Sequence, residues 1–357
     1  MARRIAVVLF NLGGPDRPEN VRPFLRNLFR DPAIIAAPGP VRELLAWLIS
    51  TTRTKEATAN YEKMGGGSPL VPETEKQAEA LTEALSGARP GDEFKCFLAM
   101  RYWHPFVKEA VAEVKAWAPD EVVLLPLYPQ FSTTTTASSL KAWRDAGGPQ
   151  ARTVCCYPTE PNLVAAHAKL VEESWTRAGK PDNPRVLFSA HGLPEITVKK
   201  GDSYQWQVEQ TVAAVVERLP EPLQHHEICY QSRVGPLKWI GPATEDAIER
   251  ACKDEKHIIL SPIAFVSEHI ETLVELDEEY GELAEECGAP GYERVPALGV
   301  QPDFIEGLKT LTLDALLGDT GLKPPNGSPI CPAEFGRCPC REAGLVAETP
   351  VEKDEAA

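Results

Sequence analysis

Seven short apolar runs, at residues 5–12, 94–100, 122–126, 153–157, 186–190, 228–230 and 258–265, alternate with amphipathic stretches, and this alternation constrains the fold more than any other property of the chain. A strand buried on both faces reads as a continuous apolar run, and its parallel neighbour is reached only through a crossover, usually a helix. The stretches at 73–85, 106–117, 163–178, 204–219 and 244–252 carry the helical apolar period, and two more, at 269–286 and 304–317, follow the last run. The pattern predicts parallel βαβ units. Four runs precede residue 158 and three follow, so the expected architecture is α/β: two doubly wound, Rossmann-like parallel-sheet lobes, 1–158 and 159–322, facing a central cleft. Pro126-Leu127-Tyr128-Pro129-Gln130-Phe131-Ser132 is echoed by Pro262-Ile263-Ala264-Phe265-Val266-Ser267, each leading into a helix, a weak internal repeat. From residue 323 the hydrophobic period disappears: 323–341 is expected to be a cysteine-bearing loop and 342–357 a disordered tail.

Two stretches carry chemistry. Leu187-Phe188-Ser189-Ala190 stops at His191, and the run ending in Phe265 is soon followed by His269 and then Glu271, Glu275 and Glu278. The carboxyl ends of strands line the crevice of a doubly wound sheet, so both histidines fall where ligands bind. On an α-helix the three glutamates, at i, i+4 and i+7, share one face. A solvated acidic face is the ordinary meaning of such a run. Against it, Leu273, Val274 and Leu276 leave little of the helix start for solvent, and a like-charge stripe costs stability unless a cation uses it.

Composition closes off other classes. Lys plus Arg number 37 against 52 Asp plus Glu, a net charge of −15, which excludes a general nucleic-acid binder because phosphate binding needs clustered cations. The apolar run after Arg3-Arg4 is too short for a signal peptide, so no export is expected. No run approaches the roughly 18–20 apolar residues of a membrane helix, so membrane contact is expected to be peripheral. Nine cysteines without an export signal are expected to be mostly reduced. Gly13-Gly14 and Gly65-Gly66-Gly67 lack the full dinucleotide or phosphate-loop pattern and read as tight turns.

The histidine stretches, read in full as LFSAHGLP (187–194) followed by Gly201, Asp202 and Tyr204, and SPIAFVSEHIETLVELDEEY (261–280), closely resemble the signatures of the ferrochelatase family. FNLGGP (10–15), GGGSP (65–69), RYWHP (101–105), LYPQFS (127–132) and SRVGPLKWIGP (232–242) extend the resemblance to nearly the whole chain. It implies a chelatase-like fold and a lyase that inserts Fe2+ into protoporphyrin IX, giving protohaem and two protons as the terminal step of haem biosynthesis. Insertion releases two pyrrole protons, so the site needs a base near the macrocycle, and an imidazole meets that need near neutral pH. Imidazole also suits Fe2+ as a ligand, so His191 is base, metal carrier or both. Glu271 is expected to take protons or help hold the iron with His191, with His269 and Glu275 completing the catalytic set. The resemblance places Leu12, Arg101, Tyr128, Ser132, Trp239 and Phe265 around the porphyrin slot, Arg101 as a propionate or a structural contact.

The apolar stretch 41–49, followed by Arg53 and Lys55, reads as a core helix or, as the resemblance implies, a hydrophobic lip over the slot that touches the membrane. The expected location is cytoplasmic and peripheral on the inner membrane. The expected partners are protoporphyrin IX, Fe2+, that membrane and a second copy of the chain. Two rivals stand: a chelatase for another metal such as cobalt or another tetrapyrrole such as coproporphyrin, and a carrier of haem or metal without turnover.

Cys331, Cys338 and Cys340 lie within ten residues, a density that packing does not explain. Thiolates so placed invite an iron–sulfur centre or zinc, with a fourth ligand from elsewhere. Ferrochelatases that bear a [2Fe-2S] cluster hold it through three C-terminal cysteines and one internal one, so the resemblance favours that cofactor. This chain departs from the animal pattern in its C-terminal spacing and in Thr133, which stands where those enzymes have the internal cysteine. The fourth ligand is then expected to be Cys156 or Cys155, whose side chains point to opposite faces of a strand. Cys96, Cys229, Cys252 and Cys287 are expected to be buried or incidental.

Overall fold

A computed structural model describes residues 2–232, 237–324 and 327–343; the expected tail, 342–357, falls almost entirely outside them. The first lobe opens with β1 (Arg4–Asn11), which pairs in parallel with β2 (Glu93–Met100) on one side and β3 (Glu121–Pro126) on the other. Its crossovers are α1 (Val21–Phe29), α2 (Gly39–Lys63) and α3 (Leu70–Ala88), then α4 (Val107–Trp117), then α5 (Thr136–Asp145), which leads to β4 (Arg152–Val154). After α6 (Pro161–Arg177) the second lobe contains β5 (Pro184–His191), α7 (Glu195–Lys199), α8 (Tyr204–Val216), α9 (Glu221–Gln224) and β6 (His226–Gln231). It continues with α10 (Thr244–Lys253), β7 (His257–Pro262), a π-helix (Glu271–Glu279) running into α11 (Tyr280–Glu286), and β8 (Tyr292–Arg294). Then come α12 (Pro302–Ala315), β9 (Gly321–Lys323) and α13 (Pro339–Glu342).

The sheets run β2-β1-β3-β4-β9 and β6-β5-β7-β8, every pairing parallel. Two doubly wound lobes are therefore present as the apolar runs predict. Apart from β9 the two share one strand order, so β3 and β7 are equivalent, and the two echoing segments leave the carboxyl ends of equivalent strands.

The lobe boundary expected at 322 is corrected. β9 pairs with β4, and Phe304, Ile305 and Leu308 of α12 sit in the first lobe's core beside Leu81 and Leu125, so 302–323 returns to the first lobe. Three-residue β8 and β9 are too short to show a strand period. The run 153–157 is strand only to Val154, so the alternation argument does not apply to Cys155 and Cys156, which both lie beyond it and are buried. Cys252 and Cys287, expected to be reduced, form a disulfide where α10 packs against α11.

The lobes share α6. Leu163 and Ala166 enter the first lobe's core while Val164, Ala168 and Val171 enter the second's, with Phe188 and Val208. Each buried Leu or Val among these is worth roughly 1.5–3 kcal/mol, so one helix face per lobe ties the halves together. Buried Gln77 of α3 adds a polar stitch, donating to the carbonyls of Val266 and Gly299 at 2.8 and 2.9 Å.

Candidate active site and cysteine cluster

His191 is the last residue of β5, in register with Gln231. Its Nδ1 lies 2.6 Å from the carbonyl of Gly192; a carbonyl only accepts, so Nδ1 carries the proton and Nε2 offers a lone pair. Nε2 faces Glu271, 3.8 Å from Oε1, and the other oxygen of Glu271 is 3.6 Å from Nε2 of His269. Both distances exceed a hydrogen bond, and Oε2 is buried without a hydrogen-bond partner. One carboxylate thus stands between two imidazoles with unused coordinating capacity. His269 is fixed by Thr272, whose hydroxyl accepts from its backbone N–H at 2.9 Å and donates to its carbonyl at 3.0 Å, and by the ring of Phe265, 4.5 Å away.

The two glutamates differ in charge preference. Burial pushes the Glu271 carboxyl up, but His191 and His269, when their rings are protonated, outweigh it and hold the group at about 2. Glu275 is pushed above the usual carboxylate range by burial and by the charge of Glu271. Its oxygens accept from Ser232 N–H at 3.0 Å, Ser232 Oγ at 2.6 Å, Tyr280 OH at 2.9 Å and Gln231 Nε2 at 3.3 Å.

The three-carboxylate stripe is corrected. Residues 271–279 form a π-helix, whose i→i+5 bonding takes about one more residue per turn than an α-helix. Seven residues then make about one and a half turns instead of two, and Glu278 leaves the face of Glu271. It pairs instead with Lys63 at the end of α2.

The expected slot residues separate into two groups. Trp239 bridges to Pro194, and Ile240 N–H donates to Leu193 O, so this aromatic flanks the His191 segment; Phe265 packs on His269. Leu12 joins the cluster of Phe24, Tyr61 and Trp103, and Tyr128 packs with Phe10 and Trp143. Ser132 is consumed by Asp202, which also accepts from Thr133 N–H and Oγ1 and from Tyr204 N–H. Arg101 makes structural contacts: Nε donates to Ser138 at 2.7 Å and the guanidinium pairs at 2.7 Å with buried Asp31, which also accepts from Tyr102 OH. Sequence reasoning missed Thr272, Tyr280 and Asp31. Tyr280 follows Glu275 by five residues, a spacing that carries meaning only once the wide turn is known.

The family model Ferrochelatase matches residues 4–316. A curated ferrochelatase of Caulobacter vibrioides is 60% identical over 344 residues, covering 96% of this chain and 99% of that one, and one of Hyphomonas neptunium is 57% identical with 96% of each covered. The chain belongs to the ferrochelatase family. It is an enzyme, a lyase that inserts Fe2+ into a porphyrin for haem synthesis. The solved structure of SirB from Bacillus subtilis with Fe3+ covers 97% of this chain and all of its own at TM-score 0.50 and 10% identity, a likeness of fold.

Two further features of this ferrochelatase lie outside the histidine site. Cys155, Cys156, Cys331, Cys338 and Cys340 are all buried with Phe131 in one cluster. The sulfurs of Cys155, Cys338 and Cys340 come within 4.8 Å of one another. The neighbouring thiols of Cys155, Cys331 and Cys340 push the Cys338 thiol down, and Cys156 adjoins Cys155. Cys156 and Cys331 both accept from the amide of Gln207, at 3.4 and 3.1 Å. The donor set fits a thiolate-bound metal centre.

The second feature is α2. It is a 25-residue helix that buries Ala46 and Ser50 and exposes Val41, Leu44, Trp47 and Leu48, Leu44 by 63% and Trp47 by 47%. The core-helix reading of 41–49 does not hold for that face. Among the described residues no helix is long and apolar enough to cross a membrane.

Proposed function

We propose that His191 and Glu271 hold the ferrous ion and take the pyrrole protons of protoporphyrin, with His269 orienting the carboxylate and Glu275 receiving protons onward. Two N–H bonds of the macrocycle break, the iron binds the freed nitrogens and two protons leave. The observation that carries this reading is the Glu271 carboxylate, ionised and only partly satisfied between two imidazole nitrogens. A carboxylate and an imidazole nitrogen are both donors that suit Fe2+. Glu275, raised where Glu271 is lowered, is the better proton holder of the pair, so a proton passed from Glu271 moves downhill. Trp239 and Phe265 flank the slot.

Cys155, Cys331, Cys338 and Cys340 are the residues that would hold a [2Fe-2S] cluster. When bound it supplies strong iron–thiolate bonds between distant segments and a one-electron couple. The exposed apolar face of α2, followed by Arg53 and Lys55, suits peripheral contact with an anionic membrane surface, from which an apolar porphyrin would arrive. A homodimer through the same face is the competing occupant.

The catalytic reading is tested with His191→Ala under anaerobic conditions. Iron insertion, followed by the Soret band, should fall by at least about 100-fold while protoporphyrin still binds, because the ring supplies ligand or base chemistry and little of the slot's apolar area. Parent-like turnover overturns it.

A further inference from the structure

The π-helix requires an explanation of its own. Its wide turn is a rare conformation in proteins, usually a single turn, yet here it spans Glu271–Glu279. Two side chains of β8, Arg294 and Tyr292, hold the segment. Arg294 is only 12% exposed and lays its guanidinium fork along Asp277, Nε to Oδ1 and Nη2 to Oδ2 at 2.7 Å each. Its Nη1 donates to Glu268 Oε1 at 2.6 Å, and that same oxygen accepts from the Ala297 N–H at 2.9 Å. Tyr292 donates its hydroxyl to the carbonyl of Leu276.

Glu268 and Asp277 bracket His269, Glu271 and Glu275, so one guanidinium grips both ends of the catalytic segment. Passing from the wide turn to an α-helix would rotate Asp277 relative to Glu271 by about a third of a turn over six residues. Asp277 could not then meet Arg294 while Glu271 stayed between His191 and His269.

We propose that Arg294, assisted by Tyr292, is a positioning device: β8 fixes the helix 271–279 in its wide register, and that register keeps the Glu271 carboxylate between the two imidazoles. The inference rests on the reading of His191, Glu271 and His269 as the iron site. It gives a function to a three-residue strand at the sheet's edge, and it treats Asp277 as the handle by which the helix is held.

The test uses Co2+ as probe, since its visible absorption reports imidazole and carboxylate ligation without turnover. The full chain is titrated alongside Glu271→Gln, Tyr292→Phe and Arg294→Lys; the last keeps the charge but loses the planar fork. Outer residues that orient metal ligands typically cost 10- to 100-fold when lost. Arg294→Lys should therefore weaken Co2+ binding and lower kcat by about tenfold, with Tyr292→Phe in the same direction and smaller, while KM for protoporphyrin stays within about twofold. Asp277→Asn added to Arg294→Lys should cost no more than Arg294→Lys alone, because both break one contact. If Tyr292→Phe and Arg294→Lys lower Tm yet keep parent Co2+ affinity and kcat well below Tm, β8 serves stability alone and the proposal is overturned. If Glu271→Gln binds Co2+ as the parent does, the iron-site reading fails and the proposal falls with it, a result distinguishable because it needs no variant of β8.

Discussion

Glu271 and Glu275 are four residues apart and are driven in opposite directions, the first down by two imidazoles and the second up by burial and by the first. A buried carboxylate with a raised folded-state pKa opposes folding wherever the unfolded chain would be ionised, that is above the ordinary value near 4.3. Glu275→Gln removes that opposition while keeping an acceptor for Ser232 and Tyr280. The variant is expected to melt on the order of 1–3 °C higher at pH 7 and to lose this gain as the pH falls through about 4, below which Glu275 is protonated in both states, while its turnover falls. Calorimetry across that range checks the sign; a lower Tm at pH 7 contradicts it. At this scale the sequence was informative where residue type alone decides chemistry. His191 and Glu271 were singled out because they lie at and just past the carboxyl ends of strands, within stretches that resemble the family's signatures. Asp31 was not, because a buried aspartate that neutralises Arg101 looks in sequence like any turn residue.

At the scale of elements, long apolar runs announced β1, β5 and β7, since a strand covered on both faces needs apolar residues throughout. β8, β9 and the π-helix were not announced. Three residues carry no period, and the segment 269–286 has an α-compatible pattern whose wide turn depends on tertiary contacts from Arg294 and Tyr292. The stretch 41–49 was ambiguous for a related reason: apolar residues on a helix state that a face is covered without saying by what. The exposed face of α2 makes the alternatives testable. Leu44→Ser with Trp47→Ser should reduce co-sedimentation with anionic phospholipid vesicles by about tenfold or more, since each loses the apolar area that would enter the interface, and should leave Tm nearly unchanged because neither packs in the core. A drop in oligomer mass by light scattering, with vesicle binding intact, would assign that face to a second copy instead.

At the scale of the whole molecule, the chain returns on itself. After completing the second lobe it crosses back through α12 and β9, and the segment after β9 brings Cys331, Cys338 and Cys340 against Cys155, next to β4. The same segment rests on the second lobe, where Arg337 N–H donates to the Gly201 carbonyl at 3.1 Å. Gly201 has φ +95°, and a Cβ there would lie 2.9 Å from the backbone nitrogen of Gly336. The adjoining Asp202 ties the loop of Ser132 and Thr133, so the cysteine cluster, the Gly201 turn and that loop form one connected region. A centre bound by these thiols should therefore hold two irons and two labile sulfides per chain in anaerobically purified protein. Cys155→Ser should lose them, whereas Cys156→Ser should keep them; stoichiometric zinc without sulfide, or the reverse pattern between the two cysteines, contradicts the assignment.

The two-lobed frame exists to bring a strand end from β5 and a helix start after β7 to one point, where Glu271 meets His191 and His269. Anaerobic single-turnover insertion of Fe2+ into protoporphyrin by Glu271→Gln, with Glu278→Gln alongside, tests that claim most directly. The expected result is a loss of at least about 100-fold in the rate for Glu271→Gln with porphyrin affinity retained, and a rate within about twofold of the parent for Glu278→Gln, whose carboxylate pairs with Lys63 away from the histidines. Equal rates for Glu271→Gln and the parent, or an equal loss in both variants, would contradict the account.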